Sequence, residues 1–274
     1  MHKTRILKST DRPTSTPAAW LAIGLTVMTV VLLTVLHFAS PEFDPSWRMV
    51  SEYANGRYPW LLSLMFLCWG LSTWALAVAI RPHVAGRAGR AGLIFLVIAG
   101  LGEVMAAVFD INQDLGHGIA GLLGVLGLPV AAVLVTRALP RDGSWASARR
   151  PLTGLAVLTW LAVASLVATM ILMTIQVVQA YGGRLPDVAP ATLPPGVFQL
   201  VGWADRLIVV SNCLWVLAVA WPATLMSRSR TRWPAPVTAT ARADAGRKAP
   251  RELTRLQRSS AIPASGQPQR GTTK

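Results

Sequence analysis

Long apolar runs separated by short polar segments dominate the first 220 residues of the chain. Six runs can be traced, at residues 18–38, 59–80, 91–109, 115–135, 152–180 and 198–220. Each is long enough to cross a hydrocarbon core about 30 Å thick at a rise of about 1.5 Å per helical residue. The runs are continuous rather than alternating, which excludes a membrane β-barrel. The pattern predicts an all-α fold, a six-helix transmembrane bundle.

The two ends of the chain differ in composition from this central part. We expect an N-terminal tail at residues 1–17, a membrane domain at 18–222 and a basic tail at 223–274. The last segment is rich in Arg, Pro, Ser and Thr and has no helical apolar period, so we expect it to be disordered. Its charge predicts either contact with anionic lipids of the inner leaflet or a solvated tail that only reinforces the topology.

The basic residues are distributed unevenly between the loops. Of the 26 Lys and Arg residues, 22 lie on the side of the membrane that carries both termini, and only Arg48, Arg57 and Arg184 lie in loops on the other side. This bias predicts a plasma-membrane protein with both termini in the cytoplasm. The net charge of +14 therefore reflects topology, and we expect no nucleic-acid partner. The oligomeric state cannot be read from this pattern.

The two cysteines, Cys68 and Cys213, both lie within apolar runs. A disulfide framework is therefore not expected, and each thiol is interpreted as a small buried hydrophobe.

Polar residues from distant loops converge on the predicted extracytoplasmic side. Glu103 is the most informative, because a carboxylate within a membrane span is costly unless it is protonated or paired. We expect Arg206 to be its partner, and we expect Asp205, about 100° away on the same helix, not to neutralise Arg206. The predicted ligand-binding residues are Glu52, Glu103, Asp110, Asp114, His117, Asp205 and Arg206.

The polar stretch from Val108 to Gly121 contains most of the possible chemistry. It begins like a calcium loop, but Leu115 and Gly121 occupy the positions that need Gly and Glu, which excludes an EF-hand. His37, Asp110 and His117 are weak candidates for a zinc site, since nothing in their spacing demands a metal. We therefore expect no cofactor.

A structural interpretation of the same stretch is also available. In this interpretation the stretch is an outer hairpin, and Asp114 caps the N-terminus of the fourth span. Glu103, in the third span, lies below Asp110 on nearly the same helical face. Glycines then follow at intervals of three, a spacing that permits close helix approach in lipid and places this span centrally: Gly118, Gly121, Gly124 and Gly127.

A serine–histidine–aspartate hydrolase is an alternative interpretation. Its catalytic residues would be Ser51, His117 and Asp110, all on the predicted extracytoplasmic side. No nucleophile-elbow pattern accompanies them, and such triads are recognised by geometry rather than by sequence.

Several short motifs resemble one known family. They are the "SEYANG" segment at 51–56, Phe109–Asp110, His117–Gly118, and Gly202 with Asp205–Arg206. Together they resemble the bacterial and archaeal multipass family known as domain of unknown function 998, over Ala18 to Ala220. The resemblance implies a six-helix membrane fold and carries no established activity. Alkaline ceramidase-like membrane hydrolases use a serine, an aspartate and three histidines around zinc. The last span of this chain contains no histidine, which argues against a homologous catalytic site.

These observations favour one function and leave two alternatives open. The favoured function is binding of a lipid headgroup or small polar ligand in a polar pocket at the extracytoplasmic leaflet, with membrane lipids as partners. The alternatives are a metal-assisted membrane hydrolase acting on lipid, and a small transporter. The absence of a detectable repeat and of a broken helix pair argues against the transporter.

Overall fold

The computed structural model describes residues 16–141, 144–186, 190 and 192–231, apart from the side chains of 144 and 226–231. Within these residues, six helices are long and apolar enough to cross a membrane. They are α1 (Thr16–Ala39), α2 (Pro59–Ile80), α3 (Gly86–Val108), α4 (Asp114–Ala138), α5 (Ser144–Ala180) and α6 (Val201–Thr231), with a short 3-10 helix, η1 (Val50–Asn55), between α1 and α2. The predicted all-α, six-helix fold is confirmed.

The predicted boundaries agree with the structure for the second span but not for the fifth and sixth. The second span is helical over the predicted residues, with Pro59 in its first turn, where the missing N–H costs nothing. By contrast, α5 begins at Ser144 instead of 152. Helix α6 continues past the expected domain boundary at 222 to Thr231, so the first part of the expected tail is helical. The rest of that tail, 232–274, and residues 1–15 lie outside the described residues.

Helix α3 packs closely against both of its sequence neighbours through glycine. A Cβ atom on Gly70 of α2 would lie 2.7 Å from the carbonyl oxygen of Gly100. On the other side of α3, a Cβ atom on Gly102 would lie 2.6 Å from the carbonyl oxygen of Ala120 in α4, and one on Gly127 would lie 3.2 Å from Ala99. Small residues therefore allow three consecutive helices to pack backbone to backbone, as helices in lipid commonly do.

Two buried clusters fill the bundle, one toward each end. One cluster includes Trp215, whose indole N–H donates to the hydroxyl of Thr136 at 3.2 Å. The other cluster packs Tyr53 and Val50 of the connecting segment against α1, α2, α5 and α6. The two cysteines are buried and free, as expected of small hydrophobes.

The segment from Pro45 to Asn55, here called the docked segment, lies across the end of the bundle where α1 ends and α6 begins. We call this end the His37 end. The backbone N–H of Gly202 donates to the carbonyl of Ser46 at 3.1 Å. A Cβ atom on Gly202 would lie 2.6 Å from the carbonyl oxygen of Arg48, so only glycine allows α6 to approach this closely.

Candidate functional site

Arg206 of α6 binds four groups from three parts of the chain. Its Nε donates to Nε2 of His37 at 2.7 Å, and its Nη2 donates to the hydroxyl of Tyr53 at 2.9 Å. Its Nη1 donates to the carbonyl oxygens of Arg48 at 2.8 Å and Gly202 at 2.9 Å. The side chain is only 4% exposed. Arg206 therefore ties α1, the docked segment and α6 together at the His37 end.

The geometry around His37 defines its tautomer. Nδ1 lies 2.6 Å from the carbonyl oxygen of Leu33, which can only accept, so Nδ1 carries the proton. Nε2 is then the unprotonated nitrogen that accepts from Arg206. His37 is thus a neutral acceptor for a buried guanidinium.

Asp205 has different partners from Arg206, as their angular separation predicts. Its Oδ2 accepts the backbone N–H of Val50 at 2.7 Å and so binds the first residue of η1. Consecutive residues of α6 therefore hold two parts of the docked segment, and the pair does not simply neutralise itself.

Glu103 does not pair with Arg206, so that expectation is wrong. The carboxyl group is 3% exposed, and its Oε2 accepts from the Thr73 hydroxyl at 2.9 Å. Its Oε1 has no hydrogen-bond partner among the described residues. Arg206 instead extends toward the docked segment.

The turn between α3 and α4 differs from the predicted hairpin in two details. Helix α3 ends at Val108 and Phe109 is extended, so Asp110 does not continue the helical face of Glu103. Asp110 instead accepts the backbone N–H of Asn112 at 2.9 Å. Asp114 is the first residue of α4 and the N-cap is Gln113, with no capping side-chain bond. Asp114 therefore contributes a charge to the first turn, where the helix dipole favours it, but not a cap.

His117 lies at the polar end of a cavity of about 580 Å³, here called the helix cavity. Its Nδ1 bonds to the carbonyl oxygen of Phe109 at 3.0 Å, which leaves Nε2 as the ring atom able to bind a ligand. Ser51 and Asp205 line the same cavity. Its walls are apolar and come mainly from Leu122, Val125, Leu126, Val163, Leu166, Val167, Ile208 and Val209.

The four regularly spaced glycines of α4 have two different roles. Gly124 and Gly127 lie against α3, as the close-approach prediction requires. Gly118 and Gly121 line the helix cavity, and a Cβ atom on either would meet nothing within 4 Å. The prediction is therefore wrong for these two, because their missing side chains leave space instead of closing a helix contact.

The remaining candidates are separated from the helix cavity. Glu52 forms a 2.6 Å salt bridge with Arg48 and accepts the backbone N–H of Met49 at 2.8 Å. Asp110, Asp114 and Glu103 are not among the described residues that line this cavity. The structure thus brings Ser51 and His117 together with Asp205, whereas the triad interpretation required Asp110.

No group of three His, Cys, Asp or Glu side chains that could hold a metal ion occurs in the described part of the chain. The three weak candidates have separate partners. His37 binds Arg206, His117 binds Phe109 and Asp110 binds Asn112.

Sequence reasoning missed several residues that build this end of the bundle. Tyr53 belongs to the SEYANG motif, and its hydroxyl, at the predicted level of Arg206, is a natural acceptor that could have indicated this bond. Thr73, the partner of Glu103, lies in an apolar run and gives no signal of its own. The carbonyl of Arg48 is a backbone group, which no residue pattern could reveal.

Comparison with known proteins identifies a family whose model matches most of the chain. A family model described as protein of unknown function DUF998 matches residues 20–222, which include all six spans apart from the ends of α1 and α6. No curated protein and no solved structure matches the chain. With most of its length covered by that model, this multipass membrane chain belongs to the DUF998 family.

Proposed function

We propose that the protein binds an amphiphilic lipid at the extracytoplasmic leaflet of the plasma membrane, with the apolar part of the ligand in the helix cavity. The observation that carries the proposal is the combination of apolar walls with a polar end formed by Ser51, His117 and Asp205. A volume of about 580 Å³ is within the range of small-molecule sites, about 300–1,000 Å³.

The orientation in this proposal rests on the distribution of charge. The loops at the His37 end contain few basic residues, and the positive-inside rule assigns such loops to the extracytoplasmic side. A lipid bound in the helix cavity would then have its polar group near the outer surface. His117 Nε2 and the Ser51 hydroxyl would bind that group, since both residues line the polar end.

Filling the cavity tests the proposal. Gly121→Leu introduces a branched side chain where a Cβ atom meets nothing within 4 Å, and Gly24→Leu makes the same change at an equally open position on α1. Lipids that remain with each purified variant after extensive detergent exchange are quantified by mass spectrometry. We expect Gly121→Leu to lose most of the lipid that wild type retains and Gly24→Leu to retain it.

The outcome that would refute the proposal is equal lipid retention by wild type and Gly121→Leu. Thermal unfolding of both variants controls for misfolding. His117→Ala gives a second measurement, because it removes a polar contact without filling the cavity. We expect this variant to bind less lipid and to lose no more than about 1 kcal/mol of stability, from the bond to the Phe109 carbonyl.

A lipid hydrolase is the second candidate function, because Ser51 and His117 line one cavity. Two contacts count against it. His117 Nδ1 is held by a backbone carbonyl instead of a carboxylate, and Asp205 Oδ2 already accepts from Val50. A triad needs the carboxylate on the histidine to stabilise the imidazolium that forms. If Ser51→Ala abolished release of fatty acid from vesicles by purified protein, the hydrolase would replace the binding function.

A further inference from the structure

The hydrogen bond between Arg206 and His37 can form only while His37 is neutral. Nδ1 of His37 donates to the Leu33 carbonyl at 2.6 Å, and Nε2 accepts from Nε of Arg206 at 2.7 Å. A second proton on the ring would bind at Nε2 and would remove the lone pair that accepts from Arg206. Two positive side chains would then meet where a hydrogen bond had been, so protonation of His37 breaks this contact.

No carboxylate compensates for a second charge on His37 in the part of the chain that the structure describes. The titratable side chains in contact with His37 are Arg206 and Tyr53. Other charged side chains lie at the start of α6 or between α1 and α2 and form no hydrogen bond with His37: Glu42, Asp44, Arg48, Glu52, Arg57 and Asp205. Of the acidic ones, Asp44 and Asp205 accept the backbone N–H groups of Ser46 and Val50.

Tyr53 connects His37 and Arg206 to the docked segment. Its hydroxyl accepts from Arg206 at 2.9 Å, and its ring lies edge-on to the ring of His37 with the centroids 5.9 Å apart. Tyr53 is fully buried and belongs to η1, whose residues Val50 and Ser51 line the helix cavity. A separation of His37 from Arg206 therefore disturbs the packing of a segment that forms part of the cavity wall.

Two other anchors of the docked segment do not involve His37. The Gly202 N–H donates to the carbonyl of Ser46, and Asp205 accepts the N–H of Val50. These bonds would remain after protonation of His37. We therefore expect the docked segment to loosen around Tyr53 and to stay attached to α6.

We propose that the contact between His37 and Arg206 is pH-sensitive, and that protonation of His37 loosens the docked segment and opens the helix cavity at the His37 end. His37 is half-buried, so protons reach it from solvent. On the proposed orientation they come from the extracytoplasmic side. This inference goes beyond the proposed function, because the contact acts on the fold whether or not a lipid is bound.

The direction of the pH dependence follows from proton uptake. A histidine without contacts has a pKa near about 6.5, and His37 is such a residue in the unfolded chain. The folded His37 end requires the neutral imidazole. Below about pH 6.5 the unfolded chain therefore binds more protons than the folded protein, and stability falls as the pH is lowered.

Thermal unfolding of the full-length protein at about pH 7.5 and about pH 5.5, on either side of the histidine pKa, measures this dependence. His37→Gln is the test variant, because its amide oxygen can accept from Arg206 and binds no proton in this range. We expect the wild-type midpoint to fall by about 5 °C or more on acidification and the His37→Gln midpoint to fall by less than half as much. His83→Gln, at the opposite end of α2, is the control and should respond like wild type. Equal falls in wild type and His37→Gln would overturn the inference.

Hydrogen exchange locates the change and needs no variant. Protection of the amides in residues 45–55 is measured by mass spectrometry at the same two pH values and corrected for the intrinsic pH dependence of exchange, with peptides from α2 as the internal reference. We expect protection of residues 45–55 to fall about tenfold on acidification, a change equivalent to one lost hydrogen bond, and protection of α2 to stay constant. Unchanged protection of residues 45–55 would refute the loosening of the docked segment.

This inference and the proposed function fail independently, because neither measurement uses added lipid. If Gly121→Leu retains as much lipid as wild type while midpoints and protection change as expected, the pH-sensitive contact stands and lipid binding fails. If Gly121→Leu loses its lipid while wild type and His37→Gln respond equally to acid, the lipid site stands and only the pH-sensitive contact fails.

Discussion

The contact between α3 and α4 predicts a large effect from one added methyl group. In Gly102→Ala, the new Cβ atom would lie 2.6 Å from the carbonyl oxygen of Ala120 and still closer to the backbone nitrogen of Gly124. Both atoms belong to helix backbone and cannot rotate away. Overpacking of this kind costs about 1–3 kcal/mol, whereas replacing a helical glycine by alanine gains about 0.5–1 kcal/mol. We expect a net loss of about 1–2 kcal/mol in the free energy of unfolding. For a chain of this size, each kcal/mol lost lowers the unfolding midpoint by about 2–4 °C.

The matched control lies on the helix that α3 contacts. Gly121→Ala makes the same chemical change where the Cβ atom meets nothing within 4 Å, so we expect stability to be unchanged or slightly raised. A thermal-shift assay on both variants, purified in the same detergent, measures the difference. If Gly102→Ala unfolds at or above the midpoint of Gly121→Ala, the backbone contact between α3 and α4 does not exist as described.

The buried charges give two further predictions. Arg206→Gln removes donors from His37, Tyr53 and the Arg48 carbonyl, and we expect a loss of about 3 kcal/mol or more because unpaired buried groups cost about 1–3 kcal/mol each. Arg206→Lys should recover only part of this loss, since an ammonium cannot reproduce the planar fork; a fully stable lysine variant would contradict the network. Glu103→Gln should stay within about 1 kcal/mol of wild type, because the amide oxygen can accept from Thr73. A loss above about 3 kcal/mol on thermal unfolding would instead indicate an ion pair.

The membrane spans could be predicted from sequence because a single physical quantity, the thickness of the hydrocarbon core, determines their length and composition. The same signal fails where a helix leaves the lipid. The first turns of α5, from Ser144 to Pro151, contain Arg149 and Arg150 and show no apolar run, although they are helical. The continuation of α6 to Thr231 was missed for the same reason.

Contacts of the candidate residues were predicted correctly where the argument was local and wrongly where it crossed the bundle. The separate partners of Asp205 and Arg206 follow from the 100° step between consecutive helical residues. Predicting the partner of Glu103 required knowing which way the long side chain of Arg206 points. Spacing along two helices gives the depth of each residue in the membrane but not the direction of its side chain. The roles of Gly118 and Gly121 required knowing which face of α4 meets α3, which a repeat of three cannot decide.

The anchoring of the docked segment has a consequence for the order in which the protein is assembled. Gly202, Asp205 and Arg206, which hold this segment, belong to the last helix, whereas the segment itself follows the first. His37 and its partner Arg206 are 169 residues apart in the chain. During synthesis the first two spans and their connection are therefore made long before the residues that fix them. The His37 end, and with it the helix cavity, is completed only when α6 joins the bundle.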